Sequence, residues 1–445
     1  MNDRPARIVY INPVGQVGGG EQSLLLMAKA VGEACPGLER HVIVGTEGPL
    51  LDRIHGLGLD GRLLSLPPAL LRLGDSGLSA SGRLGRLAAM AAGSPATALG
   101  LVAYLRRLRD ALHELRPDLV HSNGMKSHLL AALAAPKETP VVWHVRDYLG
   151  ERPLMRRLLK LVPRPVCVIA NSQSVRADVR RVLPGLRVEA VLNAIDARRF
   201  APDSGEPFDL DRAAGLSAAP PGTMRVGLVA TYARWKGQDV FIRAAAAGGL
   251  RSGGPPVRYY VIGSPIYETS GSQFTEDELR GLAAEAGVAD TLGFVPYQAD
   301  VAKVYRALDV AVHASTRPEP FGLAIAEAMA CGKAAVVAAA GGAVGLFTDG
   351  QDGLGHAPGD AAGLSNAILR LVGDDDLRRR IGESARQTAL ERFSTARLGR
   401  EIADIYASCL PACLPARHRL EDDARADSAH EALAVRADVA TSGEG

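Results

Sequence analysis

The chain has 445 residues, too many for one ordinary domain and comfortable for two. Nearly half are apolar, yet the longest apolar runs, such as Ala244–Ala247 and Ala334–Ala340, are far too short to cross a bilayer. Net charge is only +2, but residues 1–205 hold 27 Lys and Arg against 18 Asp and Glu, while the remainder holds 24 against 31.

That asymmetry implies an anionic partner for the first half. Nucleic acid is disfavoured, because the basic half lacks aromatic interleaving or a reader motif. Residues 1–7 run directly into the strand-like Ile8–Ile11 without a basic, apolar, small-residue leader, so the expected location is the cytoplasm. Five scattered cysteines without a CxxC pair read as reduced structural thiols; Cys409, Cys413 and His418 lack a fourth partner for a metal.

In chain order, Arg7–Asn12, His41–Gly45, Asp118–His121, Pro140–Val145, Val166–Asn171 and Arg187–Leu192 read as buried parallel strands. Glu21–Ala34, Leu101–Leu115, Lys126–Ala135 and Ser174–Leu183 read as the helices between them. Residues 201–223, rich in Pro, Gly, Ala and Asp, break the pattern and read as a linker. It then restarts, with strands at Arg225–Ala230, Val257–Ile262, Asp309–His313 and Ala334–Ala338. Its helices are Gly237–Ala247, Glu276–Ala286, Gly322–Cys331 and Ala361–Val372. Two such alternations predict two doubly wound α/β domains, over residues 1–200 and 224–410, with ligands at the strands' carboxyl ends. The last helix of the second domain is a candidate to pack back on the first. The aperiodic mixture over residues 411–445 predicts a disordered tail.

Four segments carry candidate chemistry. Gly15-Gln-Val-Gly-Gly-Gly-Glu21 follows the first strand, and Gly18, Gly19 and Gly20 permit close approach of a ligand from the facing domain. Its spacing fails the dinucleotide fingerprint. His121 and His144 end two strands; a packed or capping role is the ordinary expectation for such a histidine. Arg234-Trp-Lys236-Gly237 follows a strand, where cations neutralise a departing diphosphate. Finally, a helix opens near Gly322 with amides free to bind an anion. Glu319 precedes it, and Glu327 lies about one and a half turns inside.

Glu319-Pro-Phe-Gly-Leu-Ala-Ile-Ala-Glu327-Ala-Met-Ala-Cys-Gly-Lys closely resembles the signature of the retaining GT-B glycosyltransferase family 4, and the likeness runs from Arg7 to about Tyr406. It implies a GT-B-like fold: two facing Rossmann-like domains, acceptor in the first and donor in the second. It implies transfer of a hexose from a nucleotide-diphosphate sugar to a glycan or lipid-linked acceptor, with retention and without a metal or other cofactor. By the same resemblance Glu319 sits beside the donor sugar and Glu327 holds the ribose. Phe321, Gly322 and Leu323 offer amides to sugar and phosphate, Lys236 meets the diphosphate, and His144 meets the sugar. Gly18–Gly20 face donor phosphates and acceptor. Two departures stand out: Thr231 and Gly345, where relatives carry Arg and Glu. Arg234 is a candidate to replace the missing arginine.

Competing readings are a same-fold epimerase or phosphorylase, and a non-catalytic nucleotide-sugar or glycan binder. Asp209-Leu-Asp211 would suit a metal only at a strand end, and it falls in the linker. Leu154–Leu161 interleaves cations with leucines, and Leu101–Leu115 adds Arg106, Arg107 and Arg109, so an anionic membrane surface is an expected partner of the basic half.

Overall fold

The computed structural model describes residues 4–71, 95–202, 208–249, 254–265 and 271–410. The expected tail at 411–445, part of the linker, and both Cys413 and His418 lie outside them. The first sheet has seven strands: β1 (Arg7–Asn12), β2 (Glu39–Val44), β3 (Asp60–Leu63), β4 (Leu119–Asn123), β5 (Val141–Val145), β6 (Cys167–Ala170) and β7 (Val188–Ala190). The second has six: β8 (Met224–Val229), β9 (Val257–Ile262), β10 (Leu292–Val295), β11 (Val310–His313), β12 (Ala334–Ala338) and β13 (Leu354–His356). Their orders are β3-β2-β1-β4-β5-β6-β7 and β10-β9-β8-β11-β12-β13, with parallel pairing between all neighbours. Each order reverses direction once, between β1 and β4 and between β8 and β11. Crevices open at those two points.

Central strands are buried on both faces, as apolar runs such as Ile8–Ile11 and Ala334–Val337 require. Sequence periodicity missed β3, β10 and β13. All three are at or next to a sheet edge or are only three to four residues long, and each contains a glycine. Such strands carry too little apolar sequence to stand out.

Both domains keep helices on each face of their sheet, but one helix crosses over. The last one, Thr395–Cys409, buries Leu398, Ile402, Ile405 and Tyr406 in the core of the first domain, against Leu24, Ala28 and Val31 of helix Gly19–Ala34. A Cβ at Gly399 would lie 2.3 Å from the Ala30 carbonyl oxygen, so glycine is what lets the two helices approach. Arg397 fastens the crossing by donating to the Leu192 carbonyl at 2.7 Å. Ile195 N–H donates to the Phe393 carbonyl at 2.8 Å, tying the two interdomain passages together.

The linker aspartates are structural. Asp209 caps the short helix Leu210–Ala213. Asp211 accepts from Tyr260 Oη and Arg258 Nη1, both at 2.6 Å, and from the Ala219 N–H at 3.0 Å. Burial alone would push its carboxyl up, but those donors outweigh it and hold the group at about 2.

Candidate active site

The second sheet's crevice holds the glutamate pair. After β8 the chain makes one 3-10 turn, Arg234–Lys236, and reverses at Gly237, whose φ is +75°. A Cβ there would stand 2.0 Å from the Ala314 carbonyl oxygen. Glycine thus lets this loop press onto the one after β11, and Lys236 lands beside Glu319. Glu319 is 7% exposed. Its Oε2 accepts from Lys236 Nζ at 2.7 Å, Ser315 Oγ at 3.0 Å and His313 Nε2 at 3.1 Å. Its Oε1 takes none of these bonds.

Burial pushes the Glu319 carboxyl up, but the Lys236 charge and the His313 hydrogen bond outweigh it and hold the group far below the ordinary carboxylate range. Glu319 is therefore ionised at any working pH, which makes it a poor proton donor and a poor base. It can accept hydrogen bonds and offset positive charge. Gly322, at φ +104°, then turns the chain into helix Leu323–Ala330, whose first amides face the crevice mouth. The Phe321 ring is buried edge-on against Phe393, so only its backbone can serve a ligand.

Glu327 lies one turn deeper, half-buried, near Tyr305 and Arg199. Burial raises its carboxyl to about 7, against the lowering pull of Arg199 and Tyr305. A folded-state pKa above the unfolded one means the native protein holds this proton more tightly. Stability then falls as pH rises from about 4.3, the unfolded value, through 7. Glu327→Gln stays neutral throughout. Its Tm should match that of the wild type near pH 4.5 and exceed it at pH 8, while nucleotide affinity falls. A Tm difference that does not change with pH would contradict this environment.

Two expected site residues make their contacts outside the Glu319 cluster. Arg234 does not reach the Glu319 cluster. It pairs with Glu278 Oε1 at 2.6 Å, both side chains half-exposed, and lies 4.3 Å over the buried Phe274 ring. His144 is 1% exposed and lies inside the first domain, its Nδ1 3.2 Å from His121 Nε2 and 3.3 Å from Arg146 Nη2. Burial lowers both imidazoles well below their usual value. His121 is structural, as expected, with Nδ1 2.7 Å from Tyr406 Oη.

The residue at the rim of β5 is Arg146, which does not pair with the adjacent Asp147 among the described residues. Asp147 instead binds Arg152 at 2.8 Å. Position decides the matter: β5 ends at Val145, so Arg146 is the first residue beyond the sheet, whereas His144 is still inside it. Tyr148 was missed altogether. Its hydroxyl donates to the Glu319 carbonyl at 3.2 Å and lies 2.9 Å from Ser174 Oγ, which docks the first domain on the glutamate loop. Gly341 makes room, since a Cβ there would come within 2.4 Å of that hydroxyl. Sequence carries no signal for a contact between residues 171 positions apart.

The glycine loop after β1 completes the cleft. A Cβ at Gly19 would sit 3.3 Å from Leu323 Cδ1, and one at Gly20 would sit 3.8 Å from Arg146 Cδ. Gly18 caps the helix, with its N–H donating to Glu21 Oε2 at 3.1 Å. The opening turns of helices Gly19–Ala34 and Leu323–Ala330 thus face one another. Thr231 contributes its carbonyl, which accepts from the buried Gln238 at 2.6 Å. A Cβ at Gly345 would meet nothing within 4 Å, so packing does not explain that glycine. Among the described residues, no group of three or more His, Cys, Asp or Glu side chains is placed to hold a metal.

Comparison with known proteins matches residues 17–199 to the model of Glycosyltransferase Family 4 and residues 217–388 to that of Glycosyl transferases group 1. Similar curated proteins include the D-inositol 3-phosphate glycosyltransferase of Salinispora arenicola, 31% identical over 67% of this chain and 70% of that protein. The D-inositol 3-phosphate glycosyltransferase 2 of Catenulispora acidiphila is 31% identical over 70% and 75%. For the Actinosynnema mirum protein of the first of these names, also 31% identical, the chain spans 65% of its length. Similar solved structures include Anabaena HepE in complex with UDP and glucose, with a TM-score of 0.70 at 24% identity, covering 90% of this chain and 99% of that one. Sucrose-phosphate synthase from Thermosynechococcus elongatus gives 0.70 at 20% identity, covering 92% and 100%. At these identities the structures establish a shared GT-B fold.

Proposed function

The chain belongs to glycosyltransferase family 4, the glycosyl transferases group 1, and on that premise we propose that it moves a hexose from a nucleotide-diphosphate sugar to a glycan or lipid-linked hydroxyl with retention of configuration. The observation that carries this reading is the buried Lys236–Glu319 pair beside the opening turn of helix Leu323–Ala330. An anionic leaving group meets Lys236 and the helix amides there, and the sugar's hydroxyls meet Glu319 Oε1. Glu327 accepts the ribose hydroxyls, and Gly18–Gly20 leave space for phosphate and acceptor. The bond from the sugar's anomeric carbon to the diphosphate oxygen breaks, and the acceptor oxygen bonds to that carbon on the same face. The acceptor's proton passes to the leaving phosphate, so ionised Glu319 need not act as a base.

In a transfer assay with UDP- and GDP-hexoses, the products expected are the free nucleoside diphosphate and an α- or β-linked conjugate of unchanged anomeric configuration. EDTA should leave the rate within about a factor of two, since the protein's own cations and helix amides do the neutralising. Loss of activity that Mg²⁺ or Mn²⁺ restores would remove the metal-free reading. Isomerisation or phosphorolysis of the donor without any acceptor would replace transfer by one of the competing reactions.

The acceptor is approached from the basic domain. No helix among the described residues is long and apolar enough to cross a membrane. Helix Pro153–Leu159 buries Met155 and Leu159 in its own domain, so part of its leucine pattern is core. Leu154, Arg157, Lys160, Leu161 and Arg164 remain exposed around it. Weak contact of this face with an anionic membrane surface belongs to the same proposal. The protein should sediment with anionic liposomes at low salt and be released at high salt. Retention in the supernatant at low salt would point to a soluble acceptor, such as the phosphorylated polyol in the names of the inositol-phosphate relatives.

A further inference from the structure

We propose that Arg146, projecting from the first domain at the rim of β5, binds a phosphate of the donor's diphosphate across the cleft and supplies the cation that the donor domain's own loops do not leave free. This rests on the donor reading above.

The donor domain's cations are largely engaged. Lys236 is bonded to Glu319, and Arg234 to Glu278. Arg317, on the glutamate loop, is exposed to solvent, where a single charge is heavily screened. A nucleotide-sugar diphosphate carries two negative charges and gains more as its leaving group separates, so one shared lysine and a helix terminus leave charge unmet.

Arg146 is differently placed. Its Nε donates to Asn123 Oδ1 at 2.6 Å, its Nη1 to Asn193 Oδ1 at 2.7 Å, and its Nη2 lies 3.3 Å from His144 Nδ1. All three partners are neutral, and Arg146 forms no ion pair among the described residues. The carboxylate whose charge acts on it is Glu21, whose oxygens are engaged by the Gly18 N–H and, at 3.5 Å, Asn12 Nδ2. Asn123 is itself fixed by donating to Asn12 at 2.7 Å. A half-buried guanidinium aimed by three neutral groups is held for an anion that arrives later. Its alkyl stem lies against the Gly20 position, and Gly19 lies against Leu323, the first residue of the donor-domain helix. The cation and the two helix openings therefore border one space.

The test is calorimetric binding of UDP, GDP and ADP, and of the nucleoside matching whichever binds best, to the full-length protein and its variants. Arg146→Gln should weaken the diphosphate on the order of 10- to 100-fold, the range for a charge-assisted hydrogen bond, and leave the bare nucleoside within twofold. Arg146→Lys should recover part of the loss, and raised salt should weaken the wild type more than Arg146→Gln. If Arg146→Gln does not fold, Asn193→Ala, which loosens the guanidinium but keeps the charge, should weaken the diphosphate by a smaller factor. Equal diphosphate affinity in a folded variant overturns the inference, as does a loss confined to the KM of a phosphorylated acceptor. A wild type that binds no nucleoside diphosphate overturns the donor reading instead.

Discussion

Glu319→Ala should lower kcat by roughly 10²–10³-fold without weakening nucleoside diphosphate binding. The carboxylate is ionised, buried and aimed by three donors through Oε2, while Oε1 stays available for the sugar. As the donor bond breaks, positive charge grows on the sugar ring, and a fixed negative group beside it gains value at that moment. In the ground state the same carboxylate competes with the diphosphate for Lys236. Removing it therefore frees Lys236, and diphosphate affinity should hold or rise while turnover collapses. Glu319→Gln, which keeps the shape and loses the charge, should resemble the alanine variant in kcat. Wild-type turnover in a folded Glu319→Ala protein would end the assignment.

Lys236→Met should cost both turnover and stability. Lys236 is one-fifth exposed and Glu319 almost fully buried, so removing the lysine strands a carboxylate held only by His313 and Ser315. Breaking a buried pair costs roughly 3–5 kcal/mol, and the partial exposure of Lys236 places this one at or below the lower end. The linkage has a definite sign. In the wild type the depressed Glu319 pKa contributes stability above about pH 4.3, the unfolded value, and that contribution is lost as pH falls toward the native pKa. The Lys236→Met variant should lack most of that dependence. Adding Glu319→Gln to Lys236→Met should restore much of the Tm but none of the activity, which a double-mutant cycle would read directly. A single variant as stable as the wild type at pH 8 would show that the pair contributes nothing to the fold.

Much of this architecture can be read from residue order. Alternating apolar runs and amphipathic stretches identify both sheets, and Glu319, Glu327 and Lys236-Gly237 lie where strand ends and helix starts would put them. What residue order leaves open are questions of direction. Arg234 and Lys236 share one 3-10 turn, where residues two apart point to different sides, and spacing does not say which faces the crevice. His144 and Arg146 raise the complementary difficulty. Only the point at which β5 stops decides which is core and which is rim, and strand ends are the least legible feature of an alternating pattern. Tyr148 depends on domain docking, which local sequence does not encode.

The last helix has a bearing on synthesis. The first sheet is complete once β7 has been made, yet one of its faces is finished by Leu398, Ile402 and Tyr406, roughly 200 residues later. At ribosomal rates of about 5–20 residues per second, that apolar stripe stays uncovered for on the order of 10–40 s while the second domain emerges and folds. The first domain to be born is the last to be closed, so a nascent chain paused anywhere before residue 395 presents a sticky, unfinished surface to the cell's folding machinery.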